Sequence, residues 1–193
     1  MGDRVAVIRG GVLQQTGEPQ SVFDRPVNLF VASFIGSPPM NLVQAELDEA
    51  VARVGGQELR IPDELRAANP GLRRYTGRTV GLGIRPEHLR DADGEPQTLR
   101  GAVRATEALG SEMLVHLEVA AAPVVTEEVR EVAGDVDAAA LERLESDAME
   151  RKTVLVARLE TQDRPPMDET IDVGVDTRRL HFFDLDTGLA IYD

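Results

Sequence analysis

Hydrophobic and polar residues alternate over residues 4–9, which predicts a β-strand at the start of the chain. Gly10 and Gly11 follow as a hairpin signal, so residues 12–15 are predicted to form the partner strand. Helical spacing replaces the alternation after Gly17. Pro19 suits the first turn of a short helix, and the apolar residues between 30 and 35 form the stripe of a second helix that begins at about residue 26.

These first 36 residues predict a β-β-α-α unit. Two strands and two short helices bury little surface, so we expect residues 1–36 to be the C-terminal edge of a domain whose body lies upstream. The run Gly36-Ser37-Pro38-Pro39 interrupts regular structure, and we place a domain boundary there.

From residue 37 to residue 193 the pattern is mainly that of short strands separated by Gly, Pro and Asp turns. This pattern predicts a mainly β domain with helical additions, built as a small barrel of the OB type or as two such barrels fused together. A short helix and loop are predicted at 62–72. The predicted strands are 42–47, 51–54, 58–61, 79–84, 99–109, 113–119, 153–159, 170–175, 180–184 and 189–192.

Residues 126–151 break the strand pattern, because apolar residues recur at helical spacing, namely Val136, Ala140, Leu144 and Ala148, with Leu141 beside them. The segment holds nine acidic and three basic residues, nearly half of the chain's net charge of −13. It predicts an acidic helical insert between two strands of the barrel.

The acidic balance argues against nucleic acid and anionic lipid as partners, since both need a basic surface. Cysteine is absent from the sequence, which excludes disulfides, thiolate metal sites and cysteine nucleophiles. The longest apolar stretches, such as 30–35, are far shorter than the ~20 residues of a membrane-spanning helix, so no such helix and no signal peptide are predicted.

Motifs for catalysis are missing from the sequence. A P-loop needs a lysine after a glycine-rich turn, but Lys152 is the only lysine and no glycine lies in 146–151. Gly81-Leu82-Gly83 is an isolated pair of glycines without the context of a dinucleotide loop. The histidines lack the local spacing of a zinc site; they are His88, His116 and His181. We therefore predict no catalysis, no metal and no cofactor for this chain.

Two groups of motifs, in this order, carry a resemblance. The first comprises DRVAVI at 3–8, GVLQQTGEP at 11–19 and FVASFIGSPPMN at 30–41. The second comprises LGIRPEHL at 82–89 and EALGSE at 107–112. Together they resemble the C-terminal regulatory region of the ATP-binding subunits of carbohydrate ABC importers of the maltose, glycerol-phosphate and trehalose type, most closely that of actinobacterial trehalose-type members.

The resemblance implies that OB-like barrels form a regulatory domain below the nucleotide-binding domain, and that the domains of two subunit copies pack together. It implies a parent chain that hydrolyses ATP with Mg²⁺ and contacts membrane permease subunits at the inner face of the cell membrane. A cytosolic regulatory protein is a further partner that it implies. Family positions linked to such regulation fall on Gly83, Gly101 and Glu107, with Arg85-Pro86-Glu87 between them and Gly110 as a further candidate.

Simple turn chemistry also accounts for these residues. Gly83 and Gly101 lie in predicted strands, where glycine marks a bulge or a close backbone approach. Arg85 and Glu87 flank Pro86 and are predicted to form an ion pair that fixes the turn. The sequence leaves open whether this motif only closes the barrel or contacts a partner directly.

Two other functions stay open. The turns at 81–83 and 110–111 could bind an oxyanion through main-chain amides, which would make the chain a small-molecule sensor. The acidic insert, which departs from the enterobacterial pattern of the family, could dock a cytosolic regulator around Leu141 and Leu144. Covering a sheet edge as a solvated helix is the simpler role for that insert.

Overall fold

A computed structural model describes residues 3–136, 138–160 and 164–193. The chain opens with an antiparallel hairpin whose turn residues Gly10 and Gly11 have φ of 54° and 81°, values that favour glycine. Two short helices follow; the second begins later than predicted, because the Asn28 side chain accepts a hydrogen bond from Val31 N and caps it. We call residues 3–36 the opening unit, comprising β1 (Val5–Arg9), β2 (Val12–Gly17), α1 (Pro19–Asp24) and α2 (Leu29–Phe34).

The next part of the chain forms most of one five-stranded antiparallel sheet. Its strands are β3 (Asn41–Leu47), β4 (Val51–Val54), β5 (Gln57–Arg60) and β6 (Arg78–Ile84), with α3 (Asp63–Ala68) and a 3-10 segment (Pro70–Tyr75) between the last two. The late strand β12 (His181–Phe183) completes this sheet, in the order β12-β6-β3-β4-β5.

A second five-stranded sheet has the order β10-β9-β8-β11-β7. Its members are β7 (Leu89–Asp91), β8 (Thr98–Leu109), β9 (Glu112–Val119), β10 (Thr153–Leu159) and β11 (Thr170–Val175). The acidic insert lies between β9 and β10, as predicted, and consists of α4 (Glu127–Val136) and α5 (Ala138–Glu150). Residue 137, also predicted to be helical, lies outside the described residues.

Both sheets contribute to one hydrophobic core, which joins Val43 and Leu82 of the first sheet to Val103, Leu117 and Leu155 of the second. Strand alternation explains this arrangement, since β3 and β10 each bury every second residue. The mainly β fold with helical additions is therefore confirmed, and the two sheets share a single core. We call these two sheets together the barrel.

Side-chain amides join the two sheets where no strand ladder does. Asn41 on β3 donates from Nδ2 to Val156 O at 2.9 Å and accepts from Val156 N at 2.7 Å. Gln57 on β5 makes the same reciprocal pair with the main chain of Arg100 on β8, at 3.0 and 2.7 Å. Each amide thus takes the place of a strand neighbour, because it offers both a donor and an acceptor.

Two strand predictions differ from the structure. The prediction missed β7, because its three residues contain only one buried apolar side chain, Leu89, and its pairing with β11 is a tertiary contact. The predicted strand at 189–192 is wrong: its residues make isolated bridges, Leu189 to Asn28 and Ala190 to Phe183. The chain end runs between β12 and the opening unit, so it cannot join one continuous ladder. In the part of the chain that the structure describes, no helix is long and apolar enough to cross a membrane.

Candidate functional site

Gly83 lies where three chain segments pack without space for a side chain. It is buried in β6, paired with Leu42 on one side and His181 on the other. A β-carbon at this position would collide with Met40 Sδ and lie 3.0 Å from the Phe183 ring. The sequence predicted a bulge or a close backbone approach at this glycine; the atoms that exclude a β-carbon belong instead to the side chains of Met40, Phe183 and His181.

Arg85 is the largest fully buried side chain, with 1% of its surface exposed. Its Nη1 donates to Ile35 O at 2.8 Å and its Nη2 donates to Phe23 O at 2.5 Å. The guanidinium also stacks on the Phe23 ring, with its carbon 3.5 Å from the ring centroid. Arg85 therefore connects the chain directly after β6 to the opening unit.

Gly36 makes room for this guanidinium. Its φ is 125°, which L side chains rarely adopt, and a β-carbon there would lie 3.0 Å from Arg85 Nη1. The glycine that marked a predicted domain boundary is thus part of the contact that joins the two sides of that boundary.

The predicted ion pair between Arg85 and Glu87 is not formed within the described residues, and that prediction is wrong. Arg85 points its donors at main-chain oxygens of the opening unit, whereas Glu87 is exposed at the start of a 3-10 turn, Pro86–His88. Pro86 is buried at the first position of that turn, where its fixed φ is suited to a helical start. The rigidity expected of this motif comes from Pro86 and from burial of Arg85.

Gly101 lies in β8 of the other sheet, between β9 and β11. A β-carbon there would lie 2.9 Å from Glu118 O and 3.2 Å from Leu117 Cβ. The strand pair shifts register between Val103 and Ala105, close to this contact. A close backbone approach accounts for the glycine, as the sequence predicted.

Glu107 and Gly110 lie at the far end of the same hairpin, and both are exposed. Glu107 Oε1 is 2.9 Å from His116 Nε2 across the strand pair. Gly110 turns the chain between β8 and β9 with φ of 72°, and nothing lies within 4 Å of a β-carbon built on it. Leu109 beside it has 49% of its surface exposed, so this tip presents an apolar side chain to solvent.

Apart from Gly101, which is buried within β8, the candidate residues fall into two groups, one at the end of β6 and in the turn after it, and one at the turn between β8 and β9. Gly83, Arg85 and Pro86 are buried at the junction with the opening unit, whereas Glu107 and Gly110 form an open hairpin tip. The segment 81–83 is a strand paired on both sides, so its predicted role as an oxyanion-binding turn is wrong.

The acidic insert packs on the opening unit. Arg9 of β1 contacts Glu128 at 3.2 Å and Glu131 at 2.6 Å on α4. Val132 packs against the apolar cluster of the opening unit, and Val129 packs against the cluster that the opening unit shares with the barrel. The insert therefore does more than cover a sheet edge as a solvated helix.

Leu144, one of the two residues predicted to dock a regulator, lines an apolar groove between the insert and the barrel, together with Val154 and Val156. Leu141, the other one, is half-buried on the same helix. Leu144 thus lies on the side of the insert that faces the chain's own sheet.

Sequence reasoning missed a group of cationic and aromatic side chains between the opening unit and the barrel. They come from segments far apart in sequence, so no local motif could reveal them; they include Arg25, Arg179, His88, His181 and Tyr192. Burial, aided by the charge of Arg85, lowers the pKa of His181 to about 3, and burial lowers the pKa of His88 as well. Burial raises the pKa of Tyr192 to about 12. Among the described residues, no three His, Asp or Glu side chains are grouped so as to hold a metal.

Two family profiles match this architecture. The MalK OB fold domain matches residues 36–89, and the TOBE domain matches residues 82–142. The first range corresponds to β3–β6 of one sheet, and the second covers β7–β9 of the other. The chain therefore carries a MalK OB fold domain and a TOBE domain, and it is similar to the C-terminal region of the ATP-binding subunits of carbohydrate ABC importers.

Curated relatives match the chain over nearly its whole length. The trehalose/maltose import ATP-binding protein MalK of Thermococcus litoralis is 37% identical over 201 residues, covering 100% of this chain and 45% of the relative. The trehalose import ATP-binding protein SugC of Mycobacterium tuberculosis is 31% identical, with 97% and 47% covered. The sn-glycerol-3-phosphate import ATP-binding protein UgpC of Escherichia coli is 32% identical, with 99% and 44% covered. The chain thus spans less than half the length of these relatives.

Proposed function

We propose that this chain is the regulatory and dimerisation region of the ATPase subunit that powers ATP-driven import of a sugar. The observation that carries the proposal is the rigid joint at Arg85, which fastens the OB and TOBE barrel to the β-β-α-α opening unit. A barrel held in this way transmits a displacement between the two parts instead of moving as a free appendage.

In this proposal residues 1–36 are the C-terminal edge of the nucleotide-binding domain, and residues 37–193 are the regulatory domain. ATP and Mg²⁺ bind to a part of the parent subunit outside this chain, since the sequence has no P-loop. The partners are a second copy of the subunit and membrane permease subunits, with the parent chain held at the cytoplasmic face of the membrane.

The absence of catalysis is tested by assaying the purified chain beside its parent subunit. Release of phosphate from ATP is expected from the parent subunit and not from this chain. Hydrolysis by the chain above the level of a heat-denatured sample would contradict the proposal.

The dimerisation role is tested on the parent subunit by light scattering over a range of concentrations. The intact subunit is expected to associate more tightly than a subunit shortened before residue 37, because the barrels of two copies contribute contact area. Equal association of the two proteins, with the shortened one still binding ATP, would refute this role.

For the transported sugar we propose a disaccharide such as trehalose or maltose, which are the substrates in the names of two of the relatives. Uptake of labelled trehalose, maltose and glycerol 3-phosphate by the parent importer distinguishes the possibilities. Uptake of glycerol 3-phosphate alone would overturn the assignment to a disaccharide.

A cytosolic regulator, if one acts on this importer, is proposed to contact the hairpin tip and not the buried motif at 85–87. Glu107, Leu109 and Gly110 are exposed there, whereas Arg85 and Pro86 are inaccessible. Glu107→Gln is expected to leave basal uptake unchanged while it removes inhibition of uptake by that regulator. The matched control is Glu87→Gln, which changes the same charge at an exposed site of the other group. Loss of inhibition with the control alone would refute this placement.

A further inference from the structure

A cavity of about 290 Å³ lies between the opening unit and the barrel. Its wall combines α1, α3, the two 3-10 turns near residues 88 and 178, β12 and the end of the chain. The polar residues that matter most are Arg25, Arg85, His88, Arg179, His181 and Tyr192. This volume is at the lower end of the ~300–1,000 Å³ typical of small-molecule sites, so it suits a small ligand and not a nucleotide.

The cavity concentrates positive charge in a protein whose net charge is −13. Four arginines line it, against one acidic residue, Asp24. One of the arginines, Arg178, is neutralised by Asp176, whose carboxylate lies 2.8 Å from its Nε. The cavity lining then carries three arginine charges, from Arg25, Arg85 and Arg179, and one carboxylate charge, from Asp24, so its net charge is positive.

Two nitrogens at this cavity are buried without a hydrogen-bond partner among the described residues: Arg85 Nε and His88 Nδ1. Both atoms have almost no accessible surface, so Arg85 contributes its positive charge to the cavity wall and not a direct hydrogen bond to a ligand. Both terminal nitrogens of Arg85 are held by main-chain oxygens, which fixes the guanidinium before any ligand arrives. Arg25 is held as well, because its guanidinium carbon lies 4.4 Å from the centre of the Tyr192 ring.

We propose that this cavity binds a phosphate-type oxyanion, either inorganic phosphate or the phosphoryl group of a small sugar phosphate. Planar guanidinium groups donate pairs of hydrogen bonds that match the oxygens of a phosphate, and a fixed group loses little entropy on binding. The ligand contacts both α1 and the barrel, so it stabilises the joint between the opening unit and the regulatory domain. The inference does not depend on the function proposed above.

The first experiment is a thermal-melting titration of the chain with sodium phosphate, with sodium chloride at equal ionic strength as the reference. Phosphate is expected to raise the melting temperature in a saturable manner, because it binds only the folded chain. Parallel titrations with glucose 6-phosphate and with glucose identify the source of the phosphoryl group. Tighter binding of the ester indicates a sugar phosphate, and equal or tighter binding of inorganic phosphate indicates the free ion.

Arg179→Gln and Arg25→Gln are expected to weaken phosphate binding about tenfold each, since each removes one charge-assisted contact. Arg130→Gln is the matched control: it removes the same charge from the insert, does not line the cavity and is expected to leave the affinity unchanged. An equal loss of phosphate affinity in all three variants would show that phosphate is attracted by the overall electrostatic field of the protein, and would refute the proposed site.

A second measurement does not depend on variants that fold. In ¹H–¹⁵N spectra the Nε–H signals of Arg25 and Arg179, which are exposed at the cavity, are expected to shift as phosphate is added, with the same midpoint as the melting titration. Unshifted Arg25 and Arg179 signals at saturating phosphate, or no phosphate effect on melting beyond that of chloride, would refute the proposal.

Discussion

Replacing Arg85 by methionine tests whether this buried side chain joins the opening unit to the barrel. Methionine keeps most of the length of arginine and fills similar space, but it removes two hydrogen bonds, 2.8 Å to Ile35 O and 2.5 Å to Phe23 O. The contact of the guanidinium with the Phe23 ring at 3.5 Å is also lost. The guanidinium has 1% of its surface exposed, so water cannot replace these contacts without opening the joint.

The expected magnitude follows from these contacts. Each carbonyl oxygen left without a donor costs about 1–3 kcal/mol, and the lost ring contact adds up to about 2 kcal/mol. Removing the buried charge also removes its own desolvation cost, which acts in the opposite direction; burial lowers the pKa of Arg85 for this reason. We expect the free energy of unfolding to fall by about 3 kcal/mol, and by roughly half of that for Arg85→Lys, which can still donate to one carbonyl.

The assay is thermal and urea denaturation of the purified chain, followed by circular dichroism. For a protein of this size, 3 kcal/mol corresponds to a fall in melting temperature of about 6–12 °C. Hydrogen exchange gives a local measure, since α1 and the main chain near Ile35 should lose protection before β8 and β9 do. Arg73→Met, which removes an exposed arginine, is the control and should change stability by less than about 0.5 kcal/mol.

A loss of less than about 1 kcal/mol for Arg85→Met would refute this reasoning, because it would mean that the two carbonyls find other donors. Equal loss of protection across the whole chain would also contradict it. That result would assign Arg85 to global stability and not to the joint.

Three further predictions concern the sheet seam, acid stability and the insert. Asn41→Ala leaves the main-chain N–H and C=O of Val156 without partners and is expected to lower the free energy of unfolding by about 2–4 kcal/mol, measured by urea denaturation. An unchanged urea midpoint would show that the Asn41 amide does not hold the two sheets together. The pKa of His181 is about 3 in the folded chain, below its ordinary value of 6.5. Between pH 3 and pH 6.5 the unfolded chain therefore binds a proton at this residue that the folded chain does not bind. The free energy of unfolding should fall by about 1.4 kcal/mol for each pH unit of acidification through this range. His181→Gln should flatten that slope in melts from pH 7 to pH 4, and an identical slope in the variant would refute the assignment. Arg9→Gln removes ion pairs to Glu128 and Glu131 and should cost about 1 kcal/mol at low salt, less at high salt, with faster hydrogen exchange in α4; salt-independent behaviour would argue against an electrostatic contact.

Local pattern was sufficient for most of the strands, because strands such as β3 and β10 bury every second residue and turn residues separate neighbouring strands. Gly10, Gly11 and Gly110 have positive φ, and each marks a hairpin that the sequence predicted. The strand β7 and the bridge at Leu189 were not predictable in this way, since their pairing partners lie more than eighty residues away, in β11 and in the opening unit respectively.

The sequence by itself determined the fold class, the family and the lack of a P-loop, because strand alternation, motif order and the position of one lysine are properties of the chain alone. Only the tertiary structure decided what the candidate residues contact. Arg85 looked like the partner of Glu87 two residues away, yet its donors go to Phe23 and Ile35, because a buried guanidinium takes the acceptors that packing brings to it. The amide seams, the docking of the insert on Arg9 and the cationic cavity depend in the same way on contacts between distant segments, which leave no local pattern in the sequence.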